Sequence, residues 1–149
     1  MKRRHFVKAS LLTPVAAQFT HTAGTPPKAD LEFYELRIYT LKNGQQLKLV
    51  QDYFRQAAIP ALNKLGSKNI GVFTEYLAGG FTKLVAVIPY ASMDAFLKVN
   101  DQLANDTTYQ QAGAPYLTAD GATPAYERME SSLLQSFTMM PKLEVPEKK

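Results

Sequence analysis

The sequence predicts an α+β domain, and three observations carry that prediction. β-Rich runs at 32–41, 69–77, 82–90 and 126–137 are interrupted, after the first and the third, by stretches whose apolar residues recur every three or four positions. Gly, Asn, Ser and Pro fall at the joints, where turns and caps belong. The third run, TKLVAVIPY, is apolar at nearly every position, as a strand covered on both faces must be.

Taken in order, residues 32–41 (EFYELRIYTL) form the first strand. Asn43-Gly44 marks a turn, and Leu47, Val50, Phe54, Ala57, Ala58, Ala61, Leu62 and Leu65 line one side of a long helix. Pro60 lies inside that pattern and predicts a kink, while Gly66 supplies the stop. Residues 69–77 and 82–90 form a hairpin through Ala78-Gly79-Gly80-Phe81. Ser92 caps the next helix, whose inward stripe is Phe96, Val99 and Leu103. Asp106 caps a shorter one, with Tyr109, Ala112, Gly113 and Tyr116 on one side until Pro115 disturbs it. Residues 126–137 return as the last strand.

The order is β-α-β-β-α-β with an extra helix in the second crossover, the ferredoxin-like arrangement. Its usual strand order, 4-1-3-2, places the apolar third strand in the middle and leaves one sheet face free of helices. Alternation then sorts the side chains. Leu36, Ile38, Met129, Leu133 and Phe137 are expected on the helix side. Phe33, Glu35, Arg37, Tyr39, Tyr126, Arg128, Glu130, Ser132 and Leu134, joined by Phe73 and Glu75, are expected on the free face. Aromatic side chains on that face imply that something covers it, most simply a second copy.

The 149 residues suffice for one domain and a short appendage. Four of the 17 basic residues, Lys2, Arg3, Arg4 and Lys8, lie in the first seventeen positions, which hold no acid; the other 13 balance the 13 acidic residues. A neutral body without a basic stripe argues against nucleic-acid binding. The opening MKRRHFVKASLLTPVAA has a basic start, a modest apolar stretch and a small-residue site after Ala17. Arg3, Arg4, Phe6 and Lys8 fit the twin-arginine export pattern, which makes the translocase a partner and the periplasm the expected destination. The apolar stretch is too short to anchor the chain in a membrane. The expected organisation is a signal peptide at 1–17, extending at most to about 23, a linker at 18–30, the domain at 31–141 and a charged tail at 142–149.

There is no Cys and no Trp, and both histidines, His5 and His21, precede the domain. His- or Cys-based nucleophilic triads, zinc sites and haem ligation therefore find no residues in 31–141. No metal site and no cofactor is expected.

The segments YELRIYTLKNG, YFRQAAIPALNKLG, NIGVFTEY, VAVIPYASMDAF and PAYERMESSLLQSF, followed by MMP, resemble the NIPSNAP domain family over about Phe33 to Pro141. The resemblance implies a ferredoxin-like domain pairing into a dimeric α/β barrel. It also implies biochemistry that is poorly defined: bacterial members are mostly uncharacterised, and mitochondrial ones are tied to trafficking and organelle quality control. The export signal and the single domain copy set this chain apart from some of those relatives.

Two readings of Glu35, Arg37, Tyr39, Phe73, Glu75, Tyr126, Arg128 and Glu130 follow. In the first, a homodimer binds a small, partly apolar metabolite: arginine forks hold an anionic group, Tyr39, Phe73 and Tyr126 hold its body, and an unmatched acid such as Glu75 serves as base in cofactor-independent chemistry. In the second, the charges are cross-strand pairs (37 opposite 130, 35 opposite 132, 39 opposite 128) in an interaction or structural module. Met139-Met140 is expected to be C-terminal packing.

Overall fold

The computed structural model describes residues 31–76 and 80–146. The expected export segment and linker, residues 77–79 and the last three residues lie outside that range. Strand β1 (Phe33–Leu41) leads through Lys42 and Asn43 into a helix over residues 44–64. The Asn43 side chain accepts from the backbone N–H groups of Gln45 and Gln46, filling two of the donors a helix start leaves open.

That helix has three parts: α1 (Gly44–Tyr53), a π-helical turn at Phe54–Ala58, and α2 (Ile59–Lys64). Pro60 does not end it. The disturbance expected from Pro60 takes the form of the π turn just before it, where the Ile59 N–H bonds to the Phe54 carbonyl five residues back. Adjacent pairs, Tyr53/Phe54, Ala57/Ala58 and Ala61/Leu62, are thereby buried together. Gly66, at φ +98°, closes the helix, and the Ser67 N–H bonds back to the Leu62 carbonyl.

Strands β2 (Gly71–Thr74) and β3 (Thr82–Tyr90) follow, then α3 (Met93–Ala104), capped by Ser92, and α4 (Thr107–Leu117), capped by Asp106. α4 runs on through Pro115 to Leu117, so Pro115 does not cut the helix short. Gly113 admits a close approach to the π turn: a Cβ there would sit 3.3 Å from that of Ala57. Strand β4 (Arg128–Gln135) completes a four-stranded antiparallel sheet of order β2-β3-β1-β4. This is the predicted α+β, ferredoxin-like order, with β1 and β3 central.

The face assignment of β1 is reversed. Tyr39 and Leu41 are fully buried in the core beneath the helices, Phe33 packs against it, and Glu35 and Arg37 share that side. Tyr34, Leu36 and Ile38 point to the open face. The register with β4 is also one residue from the expected one: Arg37 lies opposite Ser131 and Ile38 opposite Glu130. The cause is that β1 is apolar on both sides. Its aliphatic side, Leu36 and Ile38, is the weaker candidate for the core because the other side ends in Tyr39 and Leu41, which fill the space below α1 and α4. A one-residue slip exchanges the two faces completely. On β4 itself the assignment holds: residues opposite one another share a face, so Arg128, Glu130, Ser132 and Leu134 are open and Met129 and Leu133 lie on the helix side. Tyr126, expected on the free face, precedes the strand and packs against the core beside Tyr39. The helices do not reach over β4, and all eight of its residues are exposed.

Beyond β4 the chain turns back. The Ser136 N–H bonds to the Glu32 carbonyl, and the Pro141 carbonyl accepts from both the Glu32 N–H at 3.0 Å and the Ser136 hydroxyl. Phe137 is not on the helix side, and Met139 and Met140 are not packed away: all three are exposed, with Met139 at 86%. A Gly66→Ala variant should lose roughly 1–2 kcal/mol of stability in urea denaturation, because an L side chain is disfavoured at positive φ. An unchanged midpoint would show that the turn relaxes to another conformation.

Candidate functional site

The eight residues singled out in the sequence separate onto two sides of the sheet. Glu35, Arg37, Tyr39 and Tyr126 lie on the helix side. Phe73, Arg128 and Glu130 lie on the open face, and alternation places Glu75 with them.

On the helix side, Glu35 is 5% exposed and is the centre of a saturated network. Arg37 donates from Nε to Glu35 Oε1 at 2.7 Å and from Nη2 to Oε2 at 2.9 Å, a two-point fork. Ser131 donates to Oε1 at 2.8 Å and Tyr90 to Oε2 at 3.1 Å. β1 supplies the ion pair, β4 the serine and the end of β3 the tyrosine. Burial alone would raise the Glu35 carboxyl; its bonds from Arg37, Ser131 and Tyr90 and the adjacent positive charge outweigh burial and hold it below the ordinary carboxylate range. Burial would likewise disfavour charge on Arg37, and Glu35 reverses that, raising it above an ordinary guanidinium. Both stay ionised.

Around the pair stands a tyrosine cluster. Tyr116 donates to the Tyr39 hydroxyl at 3.3 Å, and the Tyr53 and Tyr109 hydroxyls meet at 2.8 Å. Tyr116 stacks on Tyr53 with ring centres 3.9 Å apart, and Tyr126 meets Tyr39 edge-on at 5.4 Å. Burial pushes the Tyr39, Tyr53, Tyr90 and Tyr116 hydroxyls up, so all four are neutral at physiological pH. Among the described residues no buried side-chain nitrogen or oxygen lacks a partner. The helix-side half of the expected ligand set is thus committed to its own fold.

The open face is mainly apolar. Tyr34, Leu36, Ile38, Val85, Val87 and Leu134 form its centre, with Phe73 60% exposed at one edge. A groove of about 240 Å³ crosses one end, lined by Tyr34, Leu36, Val87, Leu134, Phe137 and Met140 and closed by the returning tail at Lys142 and Leu143. At the other end Arg128 pairs with Glu130 at 3.0 Å, both well exposed. Such a pair contributes at most about 1 kcal/mol. The groove residues were missed as site candidates. The available signal was Val85 and Val87, since an apolar open side on β3 asks for an apolar neighbour on β1. Among the described residues no three His, Cys, Asp or Glu side chains are placed to share a metal ion.

The sequence profile of the NIPSNAP family matches residues 34–140. Solved structures with the same fold include an uncharacterised NIPSNAP-like domain protein from Burkholderia xenovorans, 18% identical with a TM-score of 0.57, covering 76% of this chain and 91% of its own. A second protein from that organism, an uncharacterised NIPSNAP domain protein, is 19% identical with a TM-score of 0.55, covering 74% of this chain and 99% of its own. A NIPSNAP family protein from Agrobacterium tumefaciens C58 is 23% identical with a TM-score of 0.55, covering 74% of this chain and 90% of its own. No curated protein matches the sequence.

The Glu35 network makes acid stability testable. Its carboxyl is depressed in the folded state, so the stability it contributes is present above the unfolded value near 4.5 and is lost as pH falls through the folded value. Glu35→Gln should cost about 3 kcal/mol at neutral pH, because it leaves the Arg37 charge largely buried and without its partner. Denaturation series should show that the penalty shrinks below pH 4.5. A penalty independent of pH would mean the carboxylate charge is not what matters.

Proposed function

The chain belongs to the NIPSNAP family, and from that premise we propose that it works as an exported homodimer whose open sheet faces meet and enclose a chamber for a small, largely apolar metabolite. One observation supports this most: the open face is a continuous apolar surface, Leu36, Ile38, Val85, Val87, Leu134 and Phe73, that no helix of the described chain covers. Surfaces of that kind mark association or ligand sites. A two-fold partner presents the same surface, so each groove at Tyr34, Leu36 and Leu134 acquires a roof. Apolar bodies are held there by contact, and the rim charges Arg128, Glu130 and Glu75 orient any polar end.

A second reading, an association module with no ligand, draws on the saturation of the Glu35–Arg37 network, which leaves those two charges fully engaged within the fold. Light scattering tests what the readings share: twice the chain mass at micromolar concentration is expected, and Ile38→Asp should give a folded monomer. A monomeric parent protein would remove the proposal. Native mass spectrometry of the purified dimer separates the two, since a retained small molecule supports the chamber and an empty dimer the module.

Export is tested on its own. Replacing Arg3 and Arg4 together by lysine should stop periplasmic accumulation; undiminished accumulation would show that another route carries the chain.

A further inference from the structure

A second cleft, on the helix side of the molecule and away from the open face, has a volume of about 720 Å³. It lies between the first turn of α1 and the segment that joins α4 to β4. Both walls are fixed by side chains. Gln46, only 7% exposed, accepts from the Lys42 N–H at 2.7 Å and donates to the Pro124 carbonyl and to Glu127 Oε1, each at 3.0 Å. One buried amide therefore ties the two sides together. Across from it, Asp120 Oδ1 accepts from the N–H groups of Ala122 and Thr123 and from the Thr123 hydroxyl, which hold the loop in shape. Those bonds also keep the Asp120 carboxyl below its ordinary range, so it is ionised at neutral pH.

The charges on the two walls are of opposite sign. Lys42 stands on the α1 side, and Asp120 and Glu127 on the other, and Leu49 and Pro115 add apolar lining. Neither carboxylate is among the ion pairs of the described residues, and neither is Lys42. We propose that this cleft binds a small zwitterion of the amino-acid type, its carboxylate toward Lys42 and its ammonium toward Asp120 and Glu127. The volume is that of a small-molecule site, and the prearranged walls lower the ordering cost of binding. The site is independent of self-association.

Amide chemical-shift titration of the ¹⁵N-labelled protein with L-glutamine tests the proposal. Saturable shifts are expected at Gln45, Gln46 and residues 118–123. Acetate alone and methylammonium alone should each bind at least about ten-fold more weakly. Lys42→Met and Asp120→Asn should each weaken L-glutamine by about ten-fold. Asparagine retains the Oδ1 acceptor, so the loop keeps its form, and an unperturbed spectrum outside the cleft verifies the fold of both variants. Absence of saturable shifts, shifts centred elsewhere, equal affinity for either single ion, or indifference to both substitutions would each overturn it.

Discussion

A carboxylate can be buried only where its charge is answered at once, and Glu35 imposes that condition on the whole sheet. Arg37, two residues along the same side of β1, supplies the counter-charge; β4 must then present a hydroxyl beside it and β3 must end in one. Ser131 and Tyr90 do so, and both positions depend on the observed strand register. A one-residue slip of β4 would put Glu130 or Ser132 where Ser131 stands, the first adding like charge. Pairs of this kind add little net stability over apolar replacements, but breaking one is costly, so they favour one arrangement over its neighbours.

Placing the ion pair beneath the helices has an effect on the opposite side. Alternation hands Leu36 and Ile38 to the open face, next to Val85 and Val87 of β3. The sheet therefore carries one ion pair on its covered side and an aliphatic surface on its open side. For an isolated domain that is an unfavourable distribution, and it becomes favourable once the surface is removed from water. The same inversion explains why Glu35 and Arg37 are engaged in architecture, while the groove open to a ligand is built from Tyr34, Leu134, Phe137 and Met140.

Much of this was legible in the sequence. The caps at Asn43, Ser92 and Asp106, the stop at Gly66 and the two-sided apolar character of β3 fixed the order of elements, and the usual topology for that order supplied the sheet. The faces of β4 were legible too, because its polar and apolar residues alternate. On β1 the same rule failed. It treats charge as a mark of solvent, and it cannot see that Glu35 and Arg37 neutralise each other on one side of the strand. Nor could it weigh Tyr39, whose ring fills the core while its hydroxyl finds Tyr116. The polar cleft was invisible for another reason: Gln46, Asp120 and Glu127 are ordinary surface residue types, and Gln46 lies far from the other two in the chain until the segment after α4 returns beside it.

The clasp between Glu32, Ser136 and Pro141 carries a consequence for how such domains are assembled into longer chains. Where the polypeptide enters the sheet and where it leaves the returning tail are in direct hydrogen-bonded contact. A unit whose two ends meet behaves as a cassette. It can be spliced into a host loop, or repeated in tandem on a short connector, without stretching either junction, and its ends could be joined to each other and reopened at a different surface loop.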